Sequence, residues 1–277
     1  VNELGKRVLL ALIAAPLFLW LIWLGGWYFR VLMLVIGLLV QYEMVSISDK
    51  SGLPANPIMT YLFGIWLLWY PVWAYANGIG LILLTTLFIW ETMRPGTDVI
   101  KRIAGTLFCG LYAPAGFMAF QKLRFTGEME GFAIILGLLL MVWGNDTFAY
   151  FIGRQFGKHP MAPSISPKKT WEGFIGGLPG AATGLLIAWL VMGSWYKFSL
   201  GVSIGLIIVA SIFGPIGDLV ESRFKRIAGV KDSGTLLPGH GGFFDRFDAL
   251  ILSSIAVLIY LQVTQILIYA SFRSELA

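Results

Sequence analysis

Long apolar stretches alternate with short polar breaks along this chain, and the stretches fall roughly at 8–24, 27–47, 57–76, 79–93, 103–121, 131–153, 174–193, 199–218 and 248–270. Most approach the roughly 20 residues that a helix needs to cross a bilayer. Lipid offers no partner to backbone N–H and C=O groups outside a helix. The pattern therefore predicts an all-α integral membrane protein of about nine transmembrane helices. Polar residues are unevenly spread. In the first five stretches they are few and sit near the predicted ends, as Gln41 and Glu43 do, which reads Glu43 as an interfacial residue. From the sixth stretch onward, polar groups enter the apolar segments and the breaks lengthen. That contrast divides the chain into an N-terminal transmembrane bundle, 1–125, and a second half, 126–277, where chemistry is expected, with polar loops at 154–173 and 219–247.

Composition supports the same class. The chain is 57% hydrophobic and 13% charged, against about 25% charged in soluble domains. Fifteen of its twenty Lys and Arg residues fall on one side of the nine predicted spans. By the positive-inside rule this puts the N-terminus and both long loops in the cytoplasm. The net charge of +5 is mostly this bias, so nucleic acid need not be invoked. Lys6 and Arg7 before an apolar run imitate a signal peptide, but Trp20, Trp23 and the immediate second span read as a retained anchor. The single Cys109 excludes an intrachain disulfide. Glycines crowd the middle spans, as close helix packing requires, and GGLPG at 176–180 predicts a kink or a broken helix.

Three polar constellations carry candidate chemistry. Asn145 and Asp146 lie inside the sixth span, where an ionisable residue should face a cavity or a partner. In SPKKTWEG at 166–173, Lys168 and Lys169 suit phosphate, Thr170 suits a hydrogen bond or a helix cap, and Glu172 falls in the first turn of the seventh span. The densest island runs from Ser222 to Asp248. On a helix continuing from the eighth span, Asp218, Glu221 and Ser222 share one face, and Asp245 and Asp248 share another where the ninth begins. Carboxylates from two helix ends form the oxygen-rich site that Mg2+ takes alongside substrate phosphates. One Cys and two His argue against zinc or iron. Lys225, Arg226, Lys231 and Arg246 are placed to neutralise a triphosphate, and the PGHGG turn at 238–242 to bring backbone N–H groups to it. His240 in that turn reads equally as a base, a phosphate contact or a turn residue.

Ser222, Lys225, Arg226, Lys231, Asp232, Pro238, Gly239, His240, Gly241, Gly242, Asp245, Arg246 and Asp248 stand at the spacing of the signature S-x-x-K-R-x(4)-K-D-x(5)-P-G-H-G-G-x(2)-D-R-x-D. In this the chain resembles the phosphatidate cytidylyltransferases, or CDP-diacylglycerol synthases. The resemblance extends to Asn145-Asp146, to 166–173 and to Gly217-Asp218. It implies transfer of a cytidylyl group from CTP to phosphatidic acid, with release of pyrophosphate, by a Mg2+-dependent homodimer of the bacterial inner membrane whose active site opens to the cytoplasm. A second cation, divalent or K+, is also implied. Carried onto this chain, Asp218 and Asp245 hold Mg2+, with Asp146, Glu172, Glu221 and Asp248 as further ligands or supports. Lys225, Arg226 and Lys231 stabilise the leaving pyrophosphate, with His240 beside them. Lys168, Lys169, Thr170, Ser222, Gly241, Gly242, Arg246 and Asn145 bind substrate. The alternatives are a CTP-dependent polyprenol or phytol kinase, a transporter with Asp146 in its pathway, and a scaffold without activity.

Overall fold

The computed structural model describes residues 3–70, 75–236 and 241–275, with side chains over 12–70, 75–236 and 241–265. Among these, the apolar stretches form α1 (Glu3–Leu24), α2 (Gly26–Lys50), α3 (Pro57–Trp69), α4 (Ala76–Met93), α5 (Val99–Arg124), α6 (Met129–Phe156), α7 (Trp171–Met192), α8 (Leu200–Ile227) and α9 (Phe244–Glu275). Seven are long and apolar enough to cross a membrane, while α1 and α3 carry the shorter apolar runs Leu12–Leu24 and Pro57–Trp69. At 1.5 Å per residue α3 is about 20 Å long, less than the roughly 30 Å hydrocarbon core. The described helices thus give a multi-pass membrane protein with seven candidate spans by length, where nine were expected. One stretch read as loop is ordered instead: β1 (Pro160–Ala162) and β2 (Ser166–Thr170) pair antiparallel between α6 and α7.

The chain packs as two compact units. The first holds Val1–Gln121 with Val220–Asp248. Its interior is aromatic: Phe29 meets Phe120 (ring centroids 5.8 Å apart), Phe117 meets Phe247 (5.6 Å) and Phe108 meets Phe224 (4.5 Å). Several of its buried polar side chains join one helix to another through hydrogen bonds. Gln41, fully buried, donates from Nε2 to the carbonyls of Thr60 (2.9 Å) and Cys109 (3.3 Å), locking α2 to α3 and α5. Asn56 caps α3 ahead of Pro57 and also donates to buried Glu91 (2.9 Å), which pairs with Arg102 at 2.5 Å.

The second unit holds Lys122–Leu219 with Ala249–Ala277. Here α6 and α7 lie backbone to backbone. A Cβ on Gly180 would overlap the carbonyl oxygen of Gly144, and one on Gly184 that of Leu140. This is the small-residue packing of membrane helices. It also corrects the expectation of a break at GGLPG: α7 runs uninterrupted over Trp171–Met192 with Pro179 inside it. Proline removes one backbone hydrogen bond, and the close seating on α6 holds the helix around that gap. Gly184→Val should therefore lower stability by about 1–3 kcal/mol through overpacking, read as a fall in thermal midpoint in detergent. An unchanged midpoint would show that the helices separate freely at this contact.

Candidate active site

The polar end of α8 organises the first cluster. Hydropathy falls after Ile216, yet the helix continues to Ile227 and ends where Gly229 turns left-handed at φ 68°. Asp218, Glu221, Ser222 and Lys225 consequently share one face. Within the first unit, Lys225 Nζ lies 2.7 Å from Glu221 and 2.6 Å from Asp245, so this ammonium is enclosed between two carboxylates. Glu221 is 1% exposed, and its Oε1 has no hydrogen-bond partner among the described residues. Glu221 and Asp248 present carboxylate oxygens within 4.8 Å of one another.

Asp245 stands in the first turn of α9, where a carboxylate complements free backbone N–H groups. Besides Lys225, it accepts hydrogen bonds on Oδ2 from Gly242 N (2.8 Å), Ser233 N (2.8 Å) and Ser233 Oγ (2.9 Å). Gly241 is left-handed at φ 78°, and a Cβ on Gly242 would overlap Ser233 and Glu43, so both glycines are required by this turn. Arg226, Lys231 and Arg246 are exposed, whereas Ser222 is buried. His240, Pro238 and Gly239 lie outside the described residues.

Glu43 is the residue that sequence reasoning missed. Read from the sequence only as an interfacial residue, it is 1% exposed and held within the first unit on α2. Its Oε1 accepts from Phe243 N (2.9 Å), and its Oε2 from Phe244 N (2.8 Å) and Ser233 Oγ (2.8 Å). The partners lie 190 to 201 residues away along the chain, so no local pattern could have announced them.

The second cluster lies in the second unit and surrounds a cavity of about 810 Å³. Asp146, Arg154, Lys158, Lys168, Lys169 and Asp218 supply its charged wall. Lys169 Nζ pairs with Asp218 at 2.6 Å and donates to the Pro215 carbonyl at 3.2 Å. Lys168 is exposed on the hairpin. Thr170 ends β2 and caps α7, accepting from Gly173 N at 3.2 Å. Glu172 accepts from the backbone N–H groups of Lys158 (3.1 Å) and His159 (3.2 Å) and pairs with the His159 ring at 2.5 Å. It thereby anchors the segment between α6 and the hairpin. Asn145 is buried with its amide against Gly177, while its neighbour Asp146 opens to the cavity. Four cations and two carboxylates around a space of this size suit a polyanionic small molecule, since such pockets span about 300–1,000 Å³.

A family profile described as the cytidylyltransferase family matches residues 5–264. The chain is 39% identical over 270 residues to a phosphatidate cytidylyltransferase of Brucella melitensis, covering 94% of this chain and 93% of that protein. It is 36% identical over 252 residues to one of Staphylococcus aureus, covering 88% and 93%. The profile runs from α1 into α9 and takes in both charged clusters, and the relatives align over nearly their whole length: the chain belongs to the cytidylyltransferase family.

Proposed function

We propose that this membrane protein transfers the cytidylyl group of CTP to the phosphate of phosphatidic acid, releasing pyrophosphate and leaving CDP-diacylglycerol in the bilayer. The observation that carries the reading is the course of α8, which presents Asp218 to the cation-lined cavity and continues for two polar turns bearing Glu221, Ser222 and Lys225. The concentration of Lys and Arg on one side of the spans supports a cytoplasmic site.

The reaction asks little covalent help of the protein. A phosphatidate oxygen attacks the α-phosphorus, and the new O–P bond forms as the bond to the β-phosphate oxygen breaks in line with it. A phosphate monoester has a second pKa of about 6, so near neutral pH its attacking oxygen needs no base. The obstacle is repulsion between two anions. Arg154, Lys158, Lys168 and Lys169 reduce it by binding anionic oxygens in the cavity. Arg226, Lys231 and Arg246, exposed on the island, receive the departing pyrophosphate.

For Mg2+ the residues we assign are Glu221 and Asp248, with Asp218 one turn earlier on the α8 face. The all-oxygen donor set fits a hard dication, as does buried Glu221 Oε1, which has no hydrogen-bond partner among the described residues. When bound, it supplies charge neutralisation on the triphosphate. Asp245, a metal ligand in the sequence reading, has both oxygens engaged by Lys225, Ser233 and Gly242. We assign it to holding the loop.

The test uses purified protein in mixed micelles with α-32P-CTP and phosphatidic acid. Label should enter lipid only with Mg2+ present, and its transfer should stop on chelation and resume when Mg2+ is restored. CDP release without lipid label would replace this reading with a lipid kinase, and no product of either kind would remove it.

A further inference from the structure

Four side chains in the first unit form a continuous chain of contacts behind Glu221. Glu43 Oε2 accepts from Ser233 Oγ at 2.8 Å, and the same hydroxyl lies 2.9 Å from Asp245 Oδ2. Asp245 Oδ1 meets Lys225 Nζ at 2.6 Å, and Lys225 meets Glu221 at 2.7 Å. We infer that Glu43, on a helix that carries none of the signature residues, is a positioning residue: through Ser233, Asp245 and Lys225 it fixes the carboxylate of Glu221.

The chemistry requires a carboxylate at position 43. Three donors converge there, two on Oε2 and one on Oε1, so both oxygens must accept. Phe243 and Phe244 donate from the start of α9, whose first backbone N–H groups have no partner within the helix. A glutamine would keep the shape but turn an NH2 group toward one of these donors. Ser233 has one hydroxyl hydrogen for two carboxylates, so its orientation depends on both at once. Space around Glu43 is also committed: a Cβ on Gly234 or on Gly242 would enter the volume of its carboxylate. The backbone at 233–234 and 242–244 is thus shaped around one buried side chain of α2.

The proposal rests on the functional reading only where turnover is measured, and its first readout needs neither CTP nor lipid. Hydrogen exchange of the resting full-length protein, without metal, is followed at the amides of Gly242, Phe243 and Phe244. Gln41→Leu serves as the matched control, since Gln41 lies on the same helix and ties α2 to α3 and α5. Glu43→Gln should raise exchange at Phe243 and Phe244 about tenfold, the scale of losing a hydrogen bond to a charged group, and by less at Gly242, which donates to Asp245, while α3 and α5 stay protected. It should also raise the Mg2+ concentration for half-maximal turnover about tenfold, with the KM for phosphatidic acid little changed. Gln41→Leu should loosen α3 and α5 and leave the Mg2+ requirement alone. Unchanged exchange at 242–244, or the same uniform loosening in both variants, would overturn the proposal. If Glu43→Gln does not fold, Ser233→Ala, which cuts the same chain one link on, must reproduce the raised Mg2+ requirement; a wild-type requirement there overturns it equally.

Discussion

Asp218→Asn should lower cytidylyl transfer about a thousandfold, the loss of roughly 4 kcal/mol of transition-state stabilisation, with little change in thermal stability. The carboxylate stands on the cavity wall at 38% side-chain exposure, 2.6 Å from Lys169 Nζ. An exposed pair of this kind is worth about 1 kcal/mol or less to the fold. Its weight lies in the site, for two reasons. It is the carboxylate one turn before Glu221 on the α8 face, and replacing it by an amide removes charge from the proposed cation ligands. It also holds Lys169, whose ammonium would otherwise follow other anions in the cavity. Raising Mg2+ should recover only part of the rate, because a neutral amide oxygen is a weaker ligand. Initial rates over a Mg2+ series, with a melting curve on the same preparation, check both halves. Activity within tenfold of wild type would remove Asp218 from the chemistry.

The pattern of apolar stretches was enough to place the described helices, because hydropathy reports directly on what lipid demands of a backbone. It closed the eighth span at 218, and the helix expected to continue from there does so for nine more residues, to Ile227. It overran α3, which ends at Trp69. The hairpin was invisible because two short strands holding Pro160 and Pro167 show no alternation. Within the site, spacing along one helix predicted the face shared by Asp218, Glu221 and Ser222, since that is local geometry. Glu43 could not be found this way: its donors come from Ser233, Phe243 and Phe244, and only the folded chain brings them to α2. Asp245 illustrates the other limit. A carboxylate in a first helical turn can bind a cation or cap backbone groups, and the sequence carries no record of where its four lone-pair directions point.

That distinction yields the second large effect. Asp245→Asn should abolish turnover and also destabilise the protein by about 3–5 kcal/mol, the range for removing one partner of a buried, hydrogen-bonded charge pair. Asparagine offers one acceptor where the native residue uses two. If its oxygen stays with Gly242 and Ser233, its NH2 faces the Lys225 ammonium; if it turns toward Lys225, the NH2 faces the Gly242 and Ser233 backbone donors. Either arrangement leaves buried donors unsatisfied, and Lys225 keeps Glu221 as its remaining carboxylate in this cluster. The two Asp→Asn variants therefore separate roles that the resemblance alone runs together: one loses rate with the fold intact, the other loses both. Melting curves and radiolabel transfer measured side by side decide it. An Asp245→Asn protein as stable as wild type but inactive would return Asp245 to the cation, and a stable, active one would show that the turn at 241–243 is held by Glu43 without it.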